Sequence, residues 1–112
     1  MTPVLEAIFG SRPAAEVLLF LESYGSGHAS RMAATYEVSV TGMQRQPRRL
    51  EVNGVLLGRT VGKTRVFEFN TRNPTVRNLR QFLAAELNLL PEADVTAYYR
   101  QRQRPRRTGK QL

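Results

Sequence analysis

The sequence predicts an α+β domain, mainly helical, in which a three-helix core is followed by a two-stranded β-hairpin and additional C-terminal helices. Three observations carry this. Apolar residues recur at helical spacing in successive short segments up to Asn53. Residues 55–69 then switch to alternating polarity on either side of Gly62-Lys63. From Asn73-Pro74 onward a stripe of leucines restores the helical period.

Pro3 to Phe9 reads as a short helix stopped by Gly10. Ser11 offers a side-chain oxygen as a helix cap, and Pro13 falls in the first turn, where its missing N–H costs little. From there to Tyr24, the residues Ala14, Val17, Leu18 and Leu21 share a face that Leu19 and Phe20 widen, so this helix is expected to be the most buried. Gly25, Ser26 and Gly27 are expected to end it and to cap the next. There Ala29, Met32, Ala33 and Tyr36 fall at i, i+3, i+4 and i+7.

Glu37 to Ser39 gives a tight turn, after which Ser39 or Thr41 caps a third helix running toward Asn53-Gly54. On that helix Met43, Pro47 and Leu50 lie on one side, while Thr41, Gln44, Arg45 and Arg48 lie on the other. One side packs and the other is polar and basic. Pro47 stands inside it, where proline costs on the order of 3 kcal/mol. Its ring either fills the core position between Met43 and Leu50 or kinks the helix and re-aims Gln44 and Arg45; its place on the apolar stripe favours the first reading.

The hairpin comprises Val55 to Val61, the Gly62-Lys63 turn, and Thr64 to Phe69. The fourth long helix carries Val76, Leu79, Leu83, Leu87 and Leu90 on one stripe, with Phe82 beside it. Pro91, Glu92 and Asp94 open a last helix, with acids at its positive end. Val95, Tyr98 and Tyr99 make a short apolar stripe, either docking on the domain or pairing with a second subunit.

The 112 residues suffice for one compact core but hardly for two. The expected division is a domain over 1–90 and a C-terminal helix with a basic tail over 91–112. No apolar run approaches the ~20 residues that cross a bilayer, and no signal-peptide pattern opens the chain, so an intracellular, soluble protein is expected. With no cysteine and one histidine, His28, neither thiolate chemistry nor a His cluster is available.

The net charge of +8 is unevenly placed. Residues 1–37 hold two basic and four acidic side chains, and residues 38–112 hold fifteen and five, so the positive field comes from the later two-thirds. That asymmetry implies a polyanionic partner.

Two stretches carry a resemblance to a known group: Phe9-Gly10-Ser11-Arg12, leading into the first long helix, and SVTGMQRQPRRLEVNGVL, Ser39 through Leu56. With the order of elements, they resemble the winged helix-turn-helix transcriptional regulators of the ArsR-like and MarR-like group, over roughly residues 8 to 87. In that group a serine cap, polar helix residues, an Arg-Arg-Leu-Glu run and a glycine lead into the wing. Here these are Ser39, Gln44-Arg45, Arg48-Arg49-Leu50-Glu51 and Gly54. Arsenic or zinc sensing does not carry over, because the cysteines and histidine clusters are missing. Pro47 and Gly42 are further departures.

The resemblance implies double-stranded DNA as partner, a recognition helix at about 40–53 in the major groove, and a wing at about 56–69 on the adjacent minor groove or backbone. Gln44 and Arg45 are the expected base readers. Thr41 and Gly42 stand at the entering end of the helix, Ser39 is placed to bond a phosphate if its cap role leaves it free, and Arg48 and Arg49 are expected to hold the backbone. Arg59, Lys63 and Arg65 are the wing contacts, with Lys63 at the tip. Regulators of this shape commonly dimerise, which here implies a homodimer through helix 75–90 and the C-terminal helix. A cytoplasmic, nucleoid-associated location goes with it.

Arg100, Arg102, Arg104, Arg106, Arg107 and Lys110 form a tail that either tracks phosphates or solubilises the end. His28 reads as an exposed or structural residue. No metal, cofactor or catalytic constellation is visible among Glu6, Glu16 and Glu22 or elsewhere, so an enzyme is not expected. Two alternatives remain: a winged-helix module that binds protein, and an RNA-binding protein using the basic tail with Tyr98 and Tyr99 as stacking residues.

Overall fold

The computed structural model describes residues 3–99, in the order α1 Pro3–Phe9, α2 Arg12–Tyr24, β1 Ser26–Gly27, α3 Ala29–Tyr36, α4 Val40–Val52, β2 Leu56–Val61, β3 Thr64–Phe69, α5 Pro74–Leu89 and α6 Glu92–Tyr98. The expected sites in the tail from Arg100 onward lie outside the described residues. Helix α2 is the centre of the core. Ser11 caps it by accepting from the Ala14 amide at 3.2 Å, and every residue from Ala14 to Leu21 is buried. Helix α4 and helix α5 pack on it, as do strand β1 and the base of the hairpin.

One expectation is corrected between α2 and α3. Gly25 does end α2, its amide bonding the Leu21 carbonyl at 2.8 Å, but Ser26 and Gly27 do not cap the next helix. They are extended and pair antiparallel with β3, Ser26 opposite Glu68 and Gly27 opposite Phe67, giving a three-stranded sheet in the order β1-β3-β2. The cap of α3 is His28, whose Nδ1 accepts from the Arg31 amide at 3.2 Å. At the turn between α3 and α4, Glu37 adopts a left-handed conformation, and Ser39, not Thr41, caps α4.

Helix α4 presents Met43, Pro47 and Leu50 to the core, so the proline ring is a packing group as its position on the apolar stripe suggested. Helix α5 starts at the Asn73 cap, which accepts from the Thr75 amide at 2.9 Å, and buries Val76 and Leu83 while Leu79 and Leu87 lean on the core. The segment at the end of α6 docks on the domain. Tyr99 is 6% exposed and its hydroxyl lies 3.1 Å from that of Tyr36, which in turn donates to the Glu16 carbonyl at 2.8 Å. Tyr24 donates to the Tyr98 carbonyl at 3.1 Å. Beside this aromatic junction the Glu16 carboxyl is nearly sealed from solvent, with the Arg12 guanidinium at 3.3 Å; burial pushes its pKa up and Arg12 offsets part of that rise.

Candidate nucleic-acid interface

The outer side of α4 is assembled by its own cap and by the buried stripe beneath it. The Ser39 hydroxyl oxygen accepts from the Gly42 amide at 3.2 Å, which starts the helix and still leaves the hydroxyl hydrogen to donate. Once Met43, Pro47 and Leu50 are committed to the core, the helical period turns Thr41, Gln44, Arg45, Arg48 and Arg49 to solvent, and all five are exposed. Arg49 bonds Gln46 at 3.1 Å along the helix, and the Asn53 side chain bonds the Arg49 carbonyl at 2.9 Å, closing the C-terminal turn.

The hairpin leaves the core at Leu56 and Phe69, both buried, and projects as two strands paired from Leu56 opposite Phe69 to Val61 opposite Thr64. The Asn70 side chain ties its base by donating to the Gly54 carbonyl at 3.0 Å. Arg59 and Lys63 are exposed. Arg65 is exposed too, but its guanidinium is engaged: it pairs with Glu51 on α4 and bonds the Thr60 hydroxyl at 3.2 Å.

These two elements meet. Gln44 and Arg48 from α4 line a cleft of about 150 Å³ together with Lys63, Thr64 and Arg65 from the wing. The third wall is the first turn of α3, His28 to Ser30, which sequence reasoning did not nominate. The signal was available: in a helix-turn-helix the helix before the recognition helix crosses the nucleic-acid backbone. Ser39, Thr41, Arg45, Arg49 and Arg59 do not line this cleft. Among the described residues, no carboxylate pairs with Arg45, Arg48, Arg59 or Lys63. Nor is there among them a cluster of His, Cys, Asp and Glu able to hold a metal ion, or a helix long and apolar enough to cross a membrane.

The arrangement is similar to those of solved proteins. The YusO protein of Bacillus subtilis superposes with a TM-score of 0.53 at 20% identity, over 83% of this chain and 72% of that one. A MarR family transcriptional regulator of Silicibacter pomeroyi superposes with a TM-score of 0.55 at 20% identity, over 77% of this chain and 66% of that one. No protein-family model matches the sequence, and no curated protein matches it. The likeness shows the fold, a winged helix-turn-helix with further C-terminal helices, as the order of sequence elements predicts.

Proposed function

We propose that this chain is a sequence-specific double-stranded DNA-binding transcriptional regulator with no catalytic role. The carrying observation is the shared cleft, in which Gln44 and Arg48 of α4 stand against Lys63 and Arg65 of the wing. A duplex is a rod with alternating grooves, and two protrusions on one side of a domain can engage neighbouring grooves at once. In this reading the segment 40–53 lies in the major groove and 56–69 follows the adjacent minor groove or backbone. Gln44 and Arg45 read base edges, Ser39, Thr41, Arg48 and Arg49 hold phosphates, and Arg59 and Lys63 serve the wing with Arg65 in support.

Two further features support it. The neighbour from Silicibacter pomeroyi is a MarR family transcriptional regulator, and it shares this fold. Tyr98 and Tyr99, on which RNA stacking would depend, are half-buried and buried in the domain, so they are poorly placed to stack on bases. A homodimer on palindromic DNA belongs to this reading. The surface expected from the sequence is α5 with the C-terminal helix: α5 exposes Phe82 and Leu89, whereas α6 turns Val95 and Tyr98 to the core, and the exposed apolar side chains beside α5 are Val4 and Ile8 of α1, whose Phe9 meets Phe82 edge to face at 6.3 Å. A cytoplasmic location goes with chromosomal DNA as target.

The test is a gel-shift titration on genomic fragments at two salt concentrations, comparing wild type with Gln44→Ala and Arg45→Ala. Each substitution is expected to relax preference at one base position by about 1–3 kcal/mol. Unchanged site preference in both variants refutes the base-reading role. Binding of DNA that ignores salt, or no binding, favours the protein-docking alternative.

A further inference from the structure

The wing is fastened to α4 by an arrangement of three residues. In the strand register Thr60 stands opposite Arg65 and Gly58 opposite Phe67, so these four share one side of the hairpin, the side on which Phe67 enters the core. Arg65 donates to the Thr60 hydroxyl within the hairpin and to the Glu51 carboxylate on α4. To reach Glu51 the guanidinium lies across Gly58. A Cβ on residue 58 would stand 2.6 Å from the Glu51 Oε2 and 2.8 Å from the Arg65 Nε. Gly58 has no left-handed φ, so a side chain is excluded there by the ion pair and not by the backbone.

We infer that Glu51 and Arg65, passing over Gly58, form a latch that sets the wing against the recognition helix, and that Arg65 acts on DNA binding through Glu51 instead of through the DNA. This rests on the DNA-binding reading above. The base of the hairpin is held by the core, but the residues from Arg59 to Arg65 are all exposed. Among the described ion pairs, Glu51 with Arg65 is the one that joins this outer part to α4. A wing that pivots spends less time in the geometry matching α4, and apparent affinity falls by that fraction. Glu51 is a carboxylate beside the basic side of α4, and the latch gives it a reason to be there.

The sign of one substitution separates the latch from plain electrostatics. Glu51→Gln removes a negative charge from a surface meeting a polyanion, which by itself tightens binding; loss of the latch weakens it. Gly58→Ala alters no charge and collides only with the ends of two flexible side chains, so it displaces the pair while the fold persists. Gel shifts of the full chain are expected to show both variants weakened by up to about fivefold, the equivalent of a partly exposed ion pair, with melting temperatures near wild type. Exchanging the partners, Glu51→Arg with Arg65→Glu, is expected to restore wild-type affinity at unchanged net charge.

Glu51→Gln binding as tightly as wild type or tighter overturns the latch. So does an exchange variant no better than Arg65→Glu alone, which would place Arg65 on the DNA. Wild type that shifts no fragment at either salt overturns the DNA-binding reading and the latch with it. Wild-type binding with both Glu51→Gln and Gly58→Ala unweakened overturns the latch alone.

Discussion

Tyr36→Phe removes one oxygen from the junction where α2, α3 and the end of α6 meet. The Tyr36 hydroxyl has a single hydrogen, directed at the Glu16 carbonyl 2.8 Å away, and a carbonyl only accepts. The Tyr99 hydroxyl at 3.1 Å therefore donates to Tyr36. Deleting the oxygen loses the bond to Glu16, about 1 kcal/mol, and leaves the buried Tyr99 hydroxyl without its acceptor, about 1–3 kcal/mol. The Glu16 carbonyl, mid-helix in α2, keeps its amide partner one turn on, so it adds little. The expected loss is about 2–4 kcal/mol. Tyr99→Phe keeps the Tyr36 to Glu16 bond and is expected to cost about 1 kcal/mol. With both hydroxyls gone, no donor is stranded, and the double variant costs no more than Tyr36→Phe alone. Urea unfolding followed by circular dichroism measures all three, given an unchanged slope against denaturant. A Tyr99→Phe loss equal to or larger than that of Tyr36→Phe, or additive single losses, refutes the assigned direction of the hydrogen bonds.

Three other outcomes follow from burial. Because burial raises the folded pKa of Glu16 above its ordinary 4.5, the stability linked to it is complete below that value and is lost as pH rises through the folded pKa. Glu16→Gln, which still accepts from Arg12, is thus expected to be more stable than wild type at pH 7, the gap closing toward pH 4; denaturant titrations in which the gap widens toward acid refute this. Burial likewise raises Tyr36, and pushes Tyr99 up to about 12, so wild type is expected to lose stability as pH climbs from 10 toward 12, and Tyr36→Phe with Tyr99→Phe to lose less over that span. Gly27→Ala would set its Cβ 2.5 Å from the fully buried Phe20 ring and is expected to cost about 1–3 kcal/mol in thermal unfolding.

The elements legible in the sequence are those that carry their own boundary signals. Ser11, Ser39 and Asn73 each cap the helix they precede, because a short side-chain oxygen satisfies an amide that has no partner within the helix. Strand β1 was not legible: two residues show no alternation, and what makes Ser26 and Gly27 a strand is the edge of β3, contributed by a distant stretch of chain. The His28 cap was missed for a different reason. Imidazole is not among the favoured capping groups, so its position alone does not announce the bond to the Arg31 amide. The apolar stripe of Val95, Tyr98 and Tyr99 announces a docking segment but not its partner, because Tyr36 reads simply as the last apolar position of α3.

For the site, the exposed side of α4 follows from the period alone, since Met43, Pro47 and Leu50 can face only one way. The state of each cation does not, because it depends on pairings across elements. Arg12, Arg65 and Arg80 are matched with Glu16, Glu51 and Glu22. Arg77 bonds the carbonyls of Thr71 and Arg72, and Arg31 stacks on the Tyr24 ring at 4.9 Å. The sequence does not tell which of these guanidinium groups the fold already holds in place and which stand free to meet a partner.

What the fold leaves unmatched is more selective than the net charge. Among the described residues, Arg45, Arg48, Arg59 and Lys63, on α4 or the hairpin, have neither a carboxylate nor a carbonyl partner, and outside those elements the same holds for the side chain of Arg72, in the turn before α5. With Arg45 directed to a base as proposed, Arg48, Arg59 and Lys63 remain unengaged for phosphates, and Arg49 adds to them once it leaves Gln46. Each phosphate neutralised on duplex DNA contributes about −0.9 to the slope of log affinity against log salt, so these three are expected to give about −2.7 before any share from Arg49 or the basic tail. Nitrocellulose filter binding of the full chain across a salt series measures that slope. A value steeper than about −2.7 accommodates the tail or a second subunit, but one shallower than about −1 would mean that these unmatched cations do not meet the backbone, and the orientation of the domain on DNA would have to be abandoned.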